Sequence, residues 1–108
     1  MTEPEYLMVI TTTDSKAAAE DIARVLVERR LAACVQVLGP IQSTYRWQGH
    51  VETAAEWQCL IKSCADRYCE IEGTIRALHS YEVPEIISIP INGGSRVYLE
   101  WLATSTYS

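Results

Sequence analysis

His79, Glu82 and Glu85 fall within one short segment, Leu78-His79-Ser80-Tyr81-Glu82-Val83-Pro84-Glu85-Ile86. An imidazole beside two carboxylates is a donor set for a hard or borderline divalent cation, or for an acid/base pair. The competing reading is structural: Pro84 stiffens a solvated turn, and His79 caps helix carbonyls or bonds a neighbour. The four cysteines are Cys34, Cys59, Cys64 and Cys69. None has the Cys-x-x-Cys spacing of a structural zinc site. Cys59 shares strand parity with Trp57 and Ile61 and reads as a small buried hydrophobe, as does Cys34 after Ala32-Ala33. Soft-metal capture such as Cu(I) is the functional alternative, with Cys34 the first thiol to consider. Lys62 and Arg46 are basic groups suited to drawing an anion into a cleft. The sequence holds no Gly-x-Ser-x-Gly, His-Glu-x-x-His, P-loop or Gly-x-Gly-x-x-Gly, so it is read as non-catalytic.

The elements that must position these groups follow from periodicity. Tyr6 to Thr13 (YLMVITTT) is β-branched and apolar on both faces at its start, which predicts a central strand. Asp14-Ser15 then offers a cap before Ala19, Ile22, Ala23 and Leu26 at helical spacing. Glu20 and Asp21 early in this helix, with Arg29 and Arg30 late, are expected to favour the helix dipole. From Cys34 to Trp47 the spacing returns to two, interrupted at Gly39-Pro40 as by a bulge. After a turn at Gln48-Gly49, Val51, Ala55, Trp57, Cys59 and Ile61 alternate with polar residues. Asp66 is expected to cap a second helix with a Tyr68, Ile71, Ile75, Leu78 stripe, ending near His79. Ile86 to Ile91 predicts a short strand whose Pro90 requires an edge or terminus, and Ser95 opens a last helix carrying Val97, Tyr98, Trp101 and Leu102. The fold class is therefore α+β: a ferredoxin-like βαββαβ antiparallel sheet with a long central hairpin and an extra C-terminal helix.

The 108 residues are expected to form one domain, 1–108, and a composition of 48% hydrophobic and 21% charged residues is that of a globular chain. A net charge of −5 argues against nucleic acid as a partner, because phosphate binding needs clustered Lys and Arg. The acidic start Met1-Thr2-Glu3-Pro4-Glu5 is unlike a secretory signal, and no apolar run matches a membrane helix. Those features predict a cytoplasmic protein with no membrane partner and free thiols.

Each hairpin arm of about 14 residues would reach roughly 45 Å if straight. A compact domain of this length has a radius of gyration of about 13 Å and a diameter near 33 Å, so the tip must project or bend back. A projecting ribbon carrying Tyr45, Trp47 and Trp57 invites pairing with another copy; a curl over its own sheet at Gly39-Pro40 is the alternative.

Ala32-Ala33-Cys34-Val35 after an amphipathic helix, Tyr45-Arg46-Trp47-Gln48-Gly49 at the hairpin tip, and the segment from Leu78 to Ile86 resemble the signature blocks of the CutA family of divalent-cation tolerance proteins. The match runs from about Leu7 to Trp101. This resemblance implies a subunit related to PII signalling proteins, assembled as a homotrimer through its long hairpins. It also implies a role in divalent metal ion tolerance or homeostasis, with a divalent cation such as Cu(II) as the ligand to consider. Ser80 stands where the family usually has Pro. Members associated with copper carry a Cys near the end of the first strand and a His-His pair before the Tyr; here those positions hold Thr11, Leu78 and His79, one retained ligand of three. On this reading the metal candidates are His79, Glu82, Glu85 and Cys34. Tyr45, Trp47, Lys62, Tyr81 and Trp101 are candidates for an intersubunit cleft. Two other functions stand beside metal binding: a small-ligand sensor of PII type, and a scaffold whose assembly is its function.

Overall fold

The computed structural model describes residues 5–106. The element order is β1 (Tyr6–Thr13), α1 (Lys16–Glu28), β2 (Cys34–Trp47), β3 (His50–Cys64), a 3-10 turn (Ala65–Arg67), α2 (Tyr68–Leu78), β4 (Ile86–Pro90) and α3 (Arg96–Thr106). All pairings are antiparallel in one four-stranded sheet of order β2-β3-β1-β4. This is the α+β, split-βαβ arrangement that the periodicity predicts, with β1 central and β4 on an edge, where Pro90 closes the strand.

Val9, Cys59 and Ile61 on the sheet meet Ala19, Ile22 and Leu26 of α1 and Ile71 and Ile75 of α2, forming the core. Ser15 caps α1, its hydroxyl accepting from Ala18 N–H at 3.1 Å. At the other end Arg30 takes a positive φ of 58°, so that Arg30 N–H reaches the Val27 carbonyl and Leu31 N–H the Leu26 carbonyl. Those two bonds make a Schellman stop, and the buried pair Leu26 and Leu31 supplies its apolar contact.

Three local expectations fail for geometric reasons. Glu20 and Asp21 lie beyond the first turn of α1, and Arg29 and Arg30 lie past its last residue, so neither terminal turn holds a charge of the sign that favours the dipole. Asp66 belongs to the 3-10 turn, and α2 begins after Arg67 with no side-chain cap bond. Leu78 leaves the apolar stripe and is exposed, because α2 ends there.

The hairpin is paired to its tip, from Cys34↔Lys62 to Trp47↔His50. Gln48 and Gly49, both at positive φ, form the two-residue turn that matches strand twist. The register shifts between Leu38 and Ile41, so Gly39 and Pro40 together oppose Trp57. Gly39 is required there: a Cβ would stand 2.5 Å from Trp57 Cδ1. Beyond this bulge β3 has no partner but β2, since β1 ends at the pair Thr13↔Trp57. The longest dimension of the subunit is 44 Å and its radius of gyration 14.5 Å, which accords with an arm that projects past the sheet.

Candidate functional site

The arm beyond the bulge faces the loop that joins α2 to β4. Between them lies a cleft of about 800 Å³, walled by Ser43 to Trp47 on the arm and by Tyr81 to Glu85 on the loop, with Thr12 and Glu56 also lining it. Among the described residues Glu56 is the one buried acid, only 6% accessible. One of its oxygens accepts from the Tyr81 hydroxyl at 2.7 Å. Burial, then the hydrogen bond and the negative charge of Glu56, push the Tyr81 phenol well above its ordinary range, so it remains a neutral donor.

His79 holds this loop closed. Its Nε2 lies 2.7 Å from the Thr12 carbonyl, which can only accept, so Nε2 carries the proton and donates. Nδ1 is then free to accept, and takes the Tyr81 N–H at 3.1 Å. The two rings also pack, with centroids 4.7 Å apart. Both nitrogens of His79 are thus engaged, and one consequence is that Tyr81 is set in place to reach Glu56.

The residues expected to form a site separate into two neighbourhoods. Tyr45, Trp47, Tyr81, Glu82 and Glu85 line the one cleft, and His79 buttresses it. Cys34 and Lys62 are cross-strand partners on β2 and β3, four positions along β3 from Gln58, the partner of Thr12. At strand spacing that is about 13 Å from the His79 anchor. Lys62 there donates to Gln36 Oε1 at 2.7 Å. The Tyr98 phenol is raised by burial first and then by the negative charge that Cys34 carries as a thiolate. Trp101 stacks obliquely on Tyr98 at 5.5 Å. Cys34 is half-buried rather than sealed in the core, whereas Cys59 is fully buried. Thr11 is also fully buried, and its hydroxyl is the one buried side-chain oxygen or nitrogen without a partner among the described residues.

Sequence reasoning missed Glu56. Strand alternation placed it among the polar neighbours of Ala55 and Trp57, and only the loop folding over from Tyr81 buries it. It also missed that Ile87 and Ile89 of β4 stay exposed, sharing a face with their β1 partners Ile10 and Met8. Among the described residues no three His, Cys, Asp or Glu side chains gather closely enough to hold a metal ion. The donors among the described residues of one subunit therefore do not fit a closed cation site.

A ferredoxin-like sheet with a projecting arm, an acidic and aromatic cleft beside the arm, and a C-terminal helix define a small α+β subunit. A family model described as CutA1 divalent ion tolerance protein matches residues 7–105. The chain belongs to that family. It is 42% identical over 99 residues to the divalent-cation tolerance protein CutA of Thermus thermophilus, covering 92% of this chain and 96% of the relative. It is 39% identical over 100 residues to the chloroplastic protein CutA 1 of Oryza sativa subsp. japonica, covering 93% of this chain and 56% of that longer protein. The crystal structure of CutA1 from the psychrotrophic bacterium Shewanella sp. SIB1 superposes with a TM-score of 0.95 at 38% identity, covering 99% of this chain and 100% of that one.

Proposed function

We propose that this chain is a non-catalytic, cytosolic divalent-cation tolerance protein that works as a homotrimer, with its clefts completed at the contacts between subunits. The family match carries the tolerance role. The assembly is supported by the arm: β2 forms one edge of the sheet, and Tyr45, Trp47 and Val51 near the tip are exposed. Such an edge is stable in water when another strand pairs with it. A threefold ring closes by symmetry and leaves no arm over.

Any directly bound cation would draw on carboxylates at the cleft, Glu56, Glu82 and Glu85, and on donors from a neighbouring copy, because among the described residues these side chains do not gather closely enough to hold an ion by themselves. His79 can take a cation through Nδ1 only after releasing the Tyr81 N–H, so ligation by His79 and the closed loop exclude each other. Light scattering coupled to size exclusion is expected to report about three subunit masses. A monomer mass overturns the assembly. Calorimetric titration with Cu(II) and Zn(II) of wild type and His79→Ala then tests the ligand, with Cu(II) expected to bind more tightly at nitrogen and oxygen donors. Equal binding by the variant removes His79.

A second reading rests on the cleft itself. Its volume of about 800 Å³ lies within the range of small-molecule pockets, and Tyr45, Trp47, Val83 and Pro84 give it apolar walls. Those features favour a small organic ligand sensed by the assembly.

A further inference from the structure

We propose that the cleft binds a small zwitterion of the α-amino-acid class, with Arg46 taking its carboxylate and Glu56 its ammonium. The proposal rests on the ligand-sensing reading and names the ligand class.

Charge placement carries the argument. Arg46 lines the arm side of the cleft, Glu82 and Glu85 line the loop side, and none of the three forms an ion pair among the described residues. Opposite charges therefore share one cavity without closing on each other. A simple anion entering it meets three carboxylates, and a simple cation meets a guanidinium. A molecule bearing both charges complements both.

Glu56 supplies the ammonium site. It is 6% exposed, and the Tyr81 hydroxyl at 2.7 Å fixes one oxygen. The other oxygen has no partner among the described residues and keeps access to solvent, unlike the sealed Thr11 hydroxyl, and the residue lines the cleft. A carboxylate held at one oxygen and open at the other is prepared to accept from an ammonium without reorganising. Arg46 presents the planar donor fork that matches a carboxylate. Tyr45 and Trp47 beside it offer aromatic surface to the ligand's side chain.

The test uses the full chain in its native assembly, in buffer containing a chelator so that metal plays no part. Each of the twenty α-amino acids is titrated calorimetrically to about 1 mM, together with the decarboxylated amine and the deaminated acid of each. At least one amino acid is expected to bind, with its amine and its acid each weaker by about tenfold or more. Arg46→Gln should weaken the amino acid by about tenfold and leave the amine within about twofold. Glu56→Gln, which keeps an acceptor for Tyr81, should weaken amino acid and amine alike. Unchanged melting curves for both variants separate these losses from unfolding. If an amine or an acid binds as tightly as its amino acid, or Arg46→Gln binds the amino acid as wild type does, the zwitterion assignment is wrong while the ligand reading stands. If nothing in the panel binds, both fall.

Discussion

Residues 58–62 of β3 pair with a strand on each side, whereas residues 50–56 of the same strand pair with β2 alone. In the first stretch Cys59 and Ile61 are fully buried under helices; in the second, Val51 is 66% exposed. The change falls at Trp57, opposite the bulge at Gly39-Pro40. One strand thus serves two environments: its sheet half is specified by packing within the chain, and its arm half by whatever the arm contacts outside it. Glu56, the first residue of the arm half next to Trp57, is the exception, buried because the Tyr81 loop reaches it.

The sharpest way to test this contrast is to remove apolar volume beneath the sheet half. Ile71→Ala, at a fully buried site in the core, should cost about 2–5 kcal/mol in denaturant unfolding. A loss near zero would mean that the helices do not anchor this half. Next in size is an alkaline effect confined to the same half. Burial pushes the Cys59 thiol up to about 11 from 9.0. The folded state therefore favours the protonated thiol, and the stability this contributes is complete below about pH 9 and lost between about pH 9 and 11, roughly 2–3 kcal/mol. Cys59→Ala should lower stability at neutral pH and flatten that alkaline decline; an unchanged slope would assign it to other groups.

At the boundary itself, Gly39→Ala forces a Cβ against Trp57 and should cost about 1–3 kcal/mol. Pairing it with Trp57→Leu should recover part of the loss, as a double-mutant cycle would report. The smallest effect on subunit stability belongs to the arm. Val51→Glu should change the unfolding free energy of an isolated subunit by no more than about 0.5 kcal/mol, while lowering the mass in solution if the arm is an interface. A large loss of subunit stability with unchanged mass would erase the distinction between the halves.

The strand and helix positions were legible because their periodicity is local: the YLMVITTT run, the α1 stripe, and a hairpin announced by Gln48-Gly49 all match the observed elements. Even the bulge was marked by Gly39-Pro40. What escaped depends on distant parts of the chain meeting. His79 bonds to Thr12 across 67 residues, and Tyr81 bonds to Glu56 across 25. No spacing rule encodes such pairs. Cys34 and His79 are both metal candidates by residue type, and the register of β2 on β3 places Cys34 in the Lys62 neighbourhood, away from His79. The terminal charges of α1 misled because their value depends on a boundary shifted by only a few positions.

The close approach of Gly39 to the Trp57 ring has an optical consequence. The chain's three tryptophans stand at three separate stations: Trp47 at the exposed tip, Trp57 pressed against the bulge and half-buried, and Trp101 on α3 beside Tyr98. Indole emission shifts to the blue as water leaves the ring, so each station carries its own colour. Variants retaining one tryptophan apiece would turn the protein into its own set of spectroscopic probes, with Trp57 recording the hinge, Trp47 the arm and Trp101 the helix.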